Sequence, residues 1–384
     1  MMPYGRQDIS EEDIRAVEDV LRSDWLTQGP AIDLFERTVS EYCGSSYAVA
    51  VSSATAALHL SCRALGLGQG DSLWTSPNTF VASANCALYC GASVDFVDID
   101  TRTYNLSVDA LKAKLQEAER NGRLPKIVMP VHFAGQSCEM REIRALADQY
   151  GFSIIEDASH AIGGDYLGER IGNCRYSDIA VFSFHPVKIV TTGEGGMAVT
   201  NHVELAERMR SLRSHGINRD ETRMKPPADG PWYYQQTDLG YNYRMTDIQA
   251  ALGASQMNRL EKFVIRRREL VERYRKLLAE SALTLPVQHL DSKSAHHLYV
   301  VQVDEGSDRR RLVFGAMREA GIGVNVHYIP VHIQPYYQRL GFQKGDFPNA
   351  ESYYSRALTL PLFPGLSDEM QDQVCMTLKA LINR

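Results

Sequence analysis

The chain of 384 residues can bury a large core and divide into two or three domains, and its 44% hydrophobic and 23% charged residues are those of a globular protein. A formal net charge of −6 gives no electrostatic footing for nucleic acid or an acidic membrane surface. Seven cysteines form neither a C-x-x-C pair nor a disulfide-like framework, and the eleven histidines show no metal-ligand spacing. Neighbouring His296 and His297 diverge on any regular element. With no signal peptide and no apolar run long enough to cross a bilayer, the expectation is a cytoplasmic protein with no metal, nucleic-acid or membrane partner.

Through the first half, short β-rich runs alternate with helical patterns. Strands are expected at Tyr47–Val51, Ser72–Thr75, Val94–Val97, Lys126–Val131, Ser153–Glu156, Ile179–Phe184 and Met197–Thr200. Helices are expected near Ala54–Leu65, Val81–Tyr89, Val108–Arg120, Met140–Tyr150 and Glu204–Ser214. This alternation predicts an α/β fold, a mostly parallel sheet covered by helices, with ligands at the carboxyl ends of its strands. Asn218 to Tyr243, with Pro226, Pro227, Gly230 and Pro231, reads as a long loop. From Thr246 one helical pattern, interrupted only by Gly253, runs to about Ser281. It leads into a smaller α/β region with strands at Tyr299–Val303 and Gly323–His327 and helices near Arg309–Ala320 and Asp368–Leu381. The basic residues of Lys262–Arg275 are interspersed with Glu269 and Glu272 and read as a solvated helix face.

The most informative feature is Ser183-Phe184-His185-Pro186-Val187-Lys188 followed by the glycine turn Thr191–Gly196. Upstream, Asp157 ends the apolar run that begins at Phe152. A lysine and a carboxylate at neighbouring strand ends are what pyridoxal phosphate (PLP) requires. The amine forms a Schiff base with the aldehyde, and the carboxylate keeps the pyridine nitrogen protonated so that the ring accepts electrons. The run Ser52-Ser53-Ala54-Thr55 follows a strand and opens a helix, where free N–H groups and the helix dipole suit a phosphate. The same residues serve equally as a plain helix cap. Ser183 is a second phosphate anchor, and His160 lies in reach of the cofactor ring or its phenolic oxygen. Phe80 stands either on the pyridine face or in the core, and Glu194 shapes the glycine turn without doing chemistry.

These motifs, together with Glu156–Ala161 and Gly240-Tyr241-Asn242-Tyr243-Arg244-Met245-Thr246-Asp247, resemble the sugar-nucleotide aminotransferases of the DegT family, within the aspartate-aminotransferase fold type. The resemblance runs from Leu26–Pro30 to Leu360–Pro364. It implies a large PLP-binding domain over 31–258, a small C-terminal domain over 259–384, and an N-terminal arm (1–30) that contributes to the substrate site. It further implies that Lys188 carries PLP, that Asp157 meets the pyridine nitrogen, and that Asn242 reaches into the neighbouring subunit's site in a homodimer. Members that replace the lysine with histidine become dehydratases, and this chain keeps the lysine.

Within the family, Tyr4, the stretch Asp24–Gly29 with Trp25, Leu26 and Thr27, and Val326–His332 resemble the branch of pseudaminic acid biosynthesis. That branch implies transfer of an amino group from L-glutamate to C4 of a UDP-linked 4-keto-6-deoxy-N-acetylhexosamine. Ser53, Ser183, Asn242, His327, Tyr328, Ile329 and Pro330 would then join the substrate site, and His332 would offer another polar edge. Perosamine- and bacillosamine-type aminotransferases share the same core and stay open as alternatives, as does a transaminase or desulfurase for a small amino acid. A PLP-binding regulator without catalysis is the alternative from another class.

Overall fold

The computed structural model describes residues 1–225, 227–304 and 306–382, so Pro226, Glu305, Asn383 and Arg384 lie outside the described residues. Seven strands form one sheet: β1 (Tyr47–Val51), β2 (Ser72–Thr75), β3 (Ser93–Phe96), β4 (Ile127–Met129), β5 (Ser153–Asp157), β6 (Ile179–Ser183) and β7 (Gly196–Thr200). Their order is β1-β7-β6-β5-β4-β2-β3, and only β7 runs against its neighbours. The fold is the expected α/β architecture with a large, mostly parallel sheet.

The sheet is apolar on both faces because helices cover both. In β6 the alternation is explicit. Ile179 and Val181 join a core shared with the helices Ala54–Ala64, Ala82–Tyr89 and Val203–Arg213. Ala180 and Phe182 face the helices Pro30–Cys43 and Asp247–Met257 on the other side. Phe182 is wholly buried, and truncating it to alanine costs about 3–5 kcal/mol.

A smaller antiparallel sheet of Leu283–Thr284, Tyr299–Val303 and Ala357–Leu360 packs with the helices Leu260–Leu278, Gly306–Glu319 and Asp368–Ile382 around a separate core. Residues 1–4 lie along this region. Met2 N–H donates to Gly321 O (2.8 Å), Gly323 N–H to Met2 O (2.6 Å) and Leu362 N–H to Tyr4 O (2.9 Å). A Cβ on Gly323 would meet Met2 O at 2.6 Å, so this docking needs glycine.

Three expectations change. The single helix from Thr246 to about Ser281 is two helices, Asp247–Met257 and Leu260–Leu278. Arg259 leaves helical geometry (φ −108°, ψ 2°) while its guanidinium binds Asp8 and the buried Asp13, contacts that hydrophobic periodicity does not report. Gly323–His327 is not a strand. It makes one bridge, Asn325 to Thr359, because the N-terminal residues occupy its edge at Gly323. The 218–243 segment is not wholly irregular, since Ile217–Asn218 pairs with Gln235–Gln236. Among the described residues no helix is long and apolar enough to cross a membrane.

Candidate active site

The parallel pairing of β5 with β6 sets Asp157 opposite Val181, so Asp157 and Ser183 both finish at the carboxyl edge of the sheet. Beyond Ser183 the chain turns, with Lys188 N–H donating to His185 O (2.8 Å). It returns to β7 with Thr192 N–H on Phe184 O and Phe184 N–H on Gly195 O, each 2.9 Å. The loop thereby carries Lys188 over the strand ends. A cavity of about 590 Å³ opens there, and Lys188, Asp157, His160, Ser183, Ser53, Ala54, Thr55 and Phe80 share its wall with Tyr4, His327 and Tyr328.

Each wall element has a physical reason for its place. A Cβ on Gly196 would meet Ala54 N and Ser53 O at 2.5 Å, so glycine lets the start of β7 run directly under the helix Ala54–Ala64. Ser53 caps that helix by accepting from Ala56 N–H (3.1 Å). The N–H groups of Ala54 and Thr55 have no acceptor among the described residues and are left for an anion. Ser183 is buried beside them. Phe80 is 60% exposed at the cavity, so it is not the core residue of the alternative reading.

The electrostatics suit a Schiff-base lysine. Burial lowers the Lys188 amine to about 8, and Asp157 partly offsets that effect. Asp157 Oδ1 accepts from Ser159 N–H (3.1 Å) and Oδ2 from Ser83 Oγ (2.6 Å). The carboxylate is thus held as an acceptor. His160 Nε2 lies 3.0 Å from Tyr328 Oη, while among the described residues the buried His160 Nδ1 has no partner. Burial pushes His160 and His297 below the ordinary imidazole range and His327 down to about 3. The donor set therefore fits PLP: an amine of lowered basicity, a fixed carboxylate, and unpaired N–H groups for a phosphate.

Other expected residues fall elsewhere. Trp25 lines a separate cleft with Gln28, Arg213, Ser214 and Arg244. Leu26 and Thr27 are exposed, and Thr27 bridges Thr246. Asn242 is exposed and pairs with Ser214 at this cleft, outside the Lys188 cavity of its own chain. Ile329 is exposed and Pro330 buried, neither on the cavity wall. His332 is wholly buried against Glu351 (2.9 Å) and Phe347, so it offers no polar edge there. Glu194 shapes its turn as expected, its carbonyl accepting from Thr192 Oγ1 and Gln249 Nε2 (both 2.7 Å), but its exposed side chain also stands at the cavity.

Thr79, Ser83, His297 and Asn325 line the cavity without having been singled out. Thr79 and Ser83 flank Phe80 at i, i+4 spacing, a signal present in the sequence. His297 turns to the cavity while His296 lines another hollow beside Arg275.

The profile of the DegT/DnrJ/EryC1/StrS aminotransferase family matches residues 7–379. The spore coat polysaccharide biosynthesis protein SpsC of Bacillus subtilis is 41% identical, the match covering 99% of this chain and 97% of SpsC. Spr1654 of Streptococcus pneumoniae in its PLP form is 31% identical, with 100% and 98% of the two chains covered and a TM-score of 0.89. PseC of Helicobacter pylori, an aminotransferase in the biosynthesis of pseudaminic acid, is 30% identical, with 100% and 99% covered and a TM-score of 0.91. The chain belongs to the DegT/DnrJ/EryC1/StrS family and is a PLP-dependent sugar aminotransferase.

Proposed function

We propose that this protein transfers the amino group of L-glutamate to C4 of a UDP-linked 4-keto-6-deoxy-N-acetylhexosamine, giving UDP-4-amino-4,6-dideoxy-N-acetyl-β-L-altrosamine. The observation that carries the reaction type is Lys188 beside the hydrogen-bonded carboxylate of Asp157, in a cavity large enough for a cofactor and a sugar. When bound, PLP supplies an aldehyde for the amine and a ring that accepts the electron pair of a deprotonated carbon. Lys188 would hold the cofactor, and its amine of lowered basicity would be the group that moves a proton at the reacting carbon. Asp157 would keep the proton on the ring nitrogen. Ala54 and Thr55 N–H groups with Ser183 would hold the phosphate, and Phe80 and His160 would stand beside the ring.

Tyr4, His327 and Tyr328 form the sugar side of the cavity. Tyr4 packs on His327 (ring centroids 5.4 Å), and His327 Nδ1 lies 2.9 Å from Thr359 Oγ1. Support for the pseudaminic substrate comes from these segments and from the likeness to PseC. Two copies would build composite sites, with Asn242, Trp25, Leu26 and Thr27 of one facing the cavity of the other, in the cytoplasm where nucleotide sugars are made. The greater likeness to SpsC favours a second reading, a related nucleotide-sugar aminotransferase serving a polysaccharide.

Mass spectrometry of products from a panel of nucleotide keto-sugars with glutamate separates the two. Amination of the UDP L-arabino 4-keto sugar should exceed that of its D-xylo epimer. Preference for the D-xylo or a GDP-linked sugar moves the protein to a sister branch.

A further inference from the structure

Asp157 is held by more than its own strand. Its Oδ2 accepts from Ser83 Oγ at 2.6 Å, and Ser83 Oγ lies 2.8 Å from Thr79 Oγ1. All three residues are more than nine-tenths buried and line the cavity. A carboxylate only accepts, so the Ser83 proton must lie toward Asp157, and Thr79 must then donate to Ser83. The result is a directed chain, Thr79 to Ser83 to Asp157, that begins on the turn carrying Phe80 and ends on the carboxylate. The other carboxylate oxygen takes Ser159 N–H (3.1 Å), so both oxygens are fixed.

We propose that Ser83, backed by Thr79, is a positioning residue that holds the Asp157 carboxylate in the orientation from which it keeps the proton on the cofactor's ring nitrogen. The inference rests on the reading of Asp157 as the ring-nitrogen partner. A hydrogen bond to a charged acceptor is strong when buried, because no water replaces it. Without the hydroxyl, the carboxylate turns more freely and loses its alignment with the ring nitrogen. The cofactor then becomes a weaker electron sink while its affinity for substrate changes little. The spacing of Thr79 and Ser83 also lets one short segment carry Phe80 to the cavity wall and hold the carboxylate.

The test uses holoenzyme loaded with PLP carrying 15N in the ring. In wild type the nitrogen resonance should sit at the protonated position. In Ser83→Ala it should move toward the unprotonated position, with kcat down about tenfold and KM for both substrates nearly unchanged. Ser83→Thr, which restores a hydroxyl, should recover both, and Thr79→Val should give a smaller shift of the same sign. An unmoved resonance in Ser83→Ala overturns the proposal whatever happens to the rate. Equal loss of rate in Ser83→Ala and Ser83→Thr with an unmoved resonance assigns Ser83 to packing. The supporting reading fails separately, if Asp157→Asn leaves the nitrogen resonance where it is in wild type.

Discussion

Two concave regions of the chain carry opposite chemistry. The Lys188 cavity is lined by the carboxylates of Asp157 and Glu194 and by His160, His297 and His327, which burial holds neutral. Lys188 is its one Lys or Arg side chain among the described residues. The cleft between Trp25 and Arg244 contains two guanidinium groups. Arg213 is taken up by Glu36 and Ala50 O (2.6 and 2.7 Å), whereas no carboxylate pairs with Arg244 among the described residues. The residues proposed for the amine and ring chemistry therefore all come from one chain. The side-chain cation left for a diphosphate or a carboxylate, Arg244, sits on another face, in a cleft it shares with Asp33. A symmetric pairing that set the cleft of one copy against the cavity of the other would join what a single chain keeps apart.

The most drastic way to break the first region is Lys188→Ala. Transamination should fall to background while circular dichroism stays unchanged, as expected if the side chain is both cofactor anchor and proton carrier. Borohydride reduction of wild-type holoenzyme should leave the cofactor mass on the peptide containing Lys188. A tag on another lysine would reassign the site.

The second region is tested by subunit mixing. Lys188→Ala and Asn242→Ala, each inactive alone, should regain about a quarter of wild-type activity when equimolar subunits exchange, since half the dimers would carry one intact composite site. Asn242 is exposed and meets Ser214 through a backbone bridge, so the alanine variant should keep its fold. No recovery after exchange proven by mass spectrometry would mean that each site is built from one chain.

Asp157→Asn should lower kcat on the order of a hundredfold while some cofactor stays bound, because an amide holds no proton on the ring nitrogen. Near wild-type turnover would place that function on another residue.

The two regions also differ in how far they could be read in advance. The strand-end residues were legible because a parallel α/β sheet places them by rule. Once β5 and β6 are recognised, Asp157 and Ser183 must meet at one edge. Gly196, required by its close approach to Ser53 and Ala54, marked the turn in the same way. What escaped depends on contacts between distant segments. The break at Arg259 rests on Asp8 and Asp13, and the unpaired run 323–327 rests on the N-terminal arm. Thr79 and Ser83 are polar residues whose meaning comes from a carboxylate 74 positions away from Ser83. His332 looked available from its neighbours and is buried by a helix, Pro348–Arg356, that the local pattern did not include.

The smallest expected effect concerns the stability of the apoprotein. In the folded chain Lys188 titrates at about 8, against 10.5 for a free lysine, because burial disfavours its charge. Between these values the unfolded chain binds more protons at this amine than the folded one, so stability rises with pH through that window. Below about 8 both states are protonated and the full penalty of holding a charged amine in the cavity remains. Lys188→Met keeps the length of the side chain and removes the charge. Its apoprotein should melt a few degrees above wild-type apoprotein at pH 7, and the gap should narrow by about half by pH 9.5. A gap that stays constant across this range would mean that methionine gains by packing alone. A gap that closes ties the stability cost to the lowered basicity of the buried Lys188 amine.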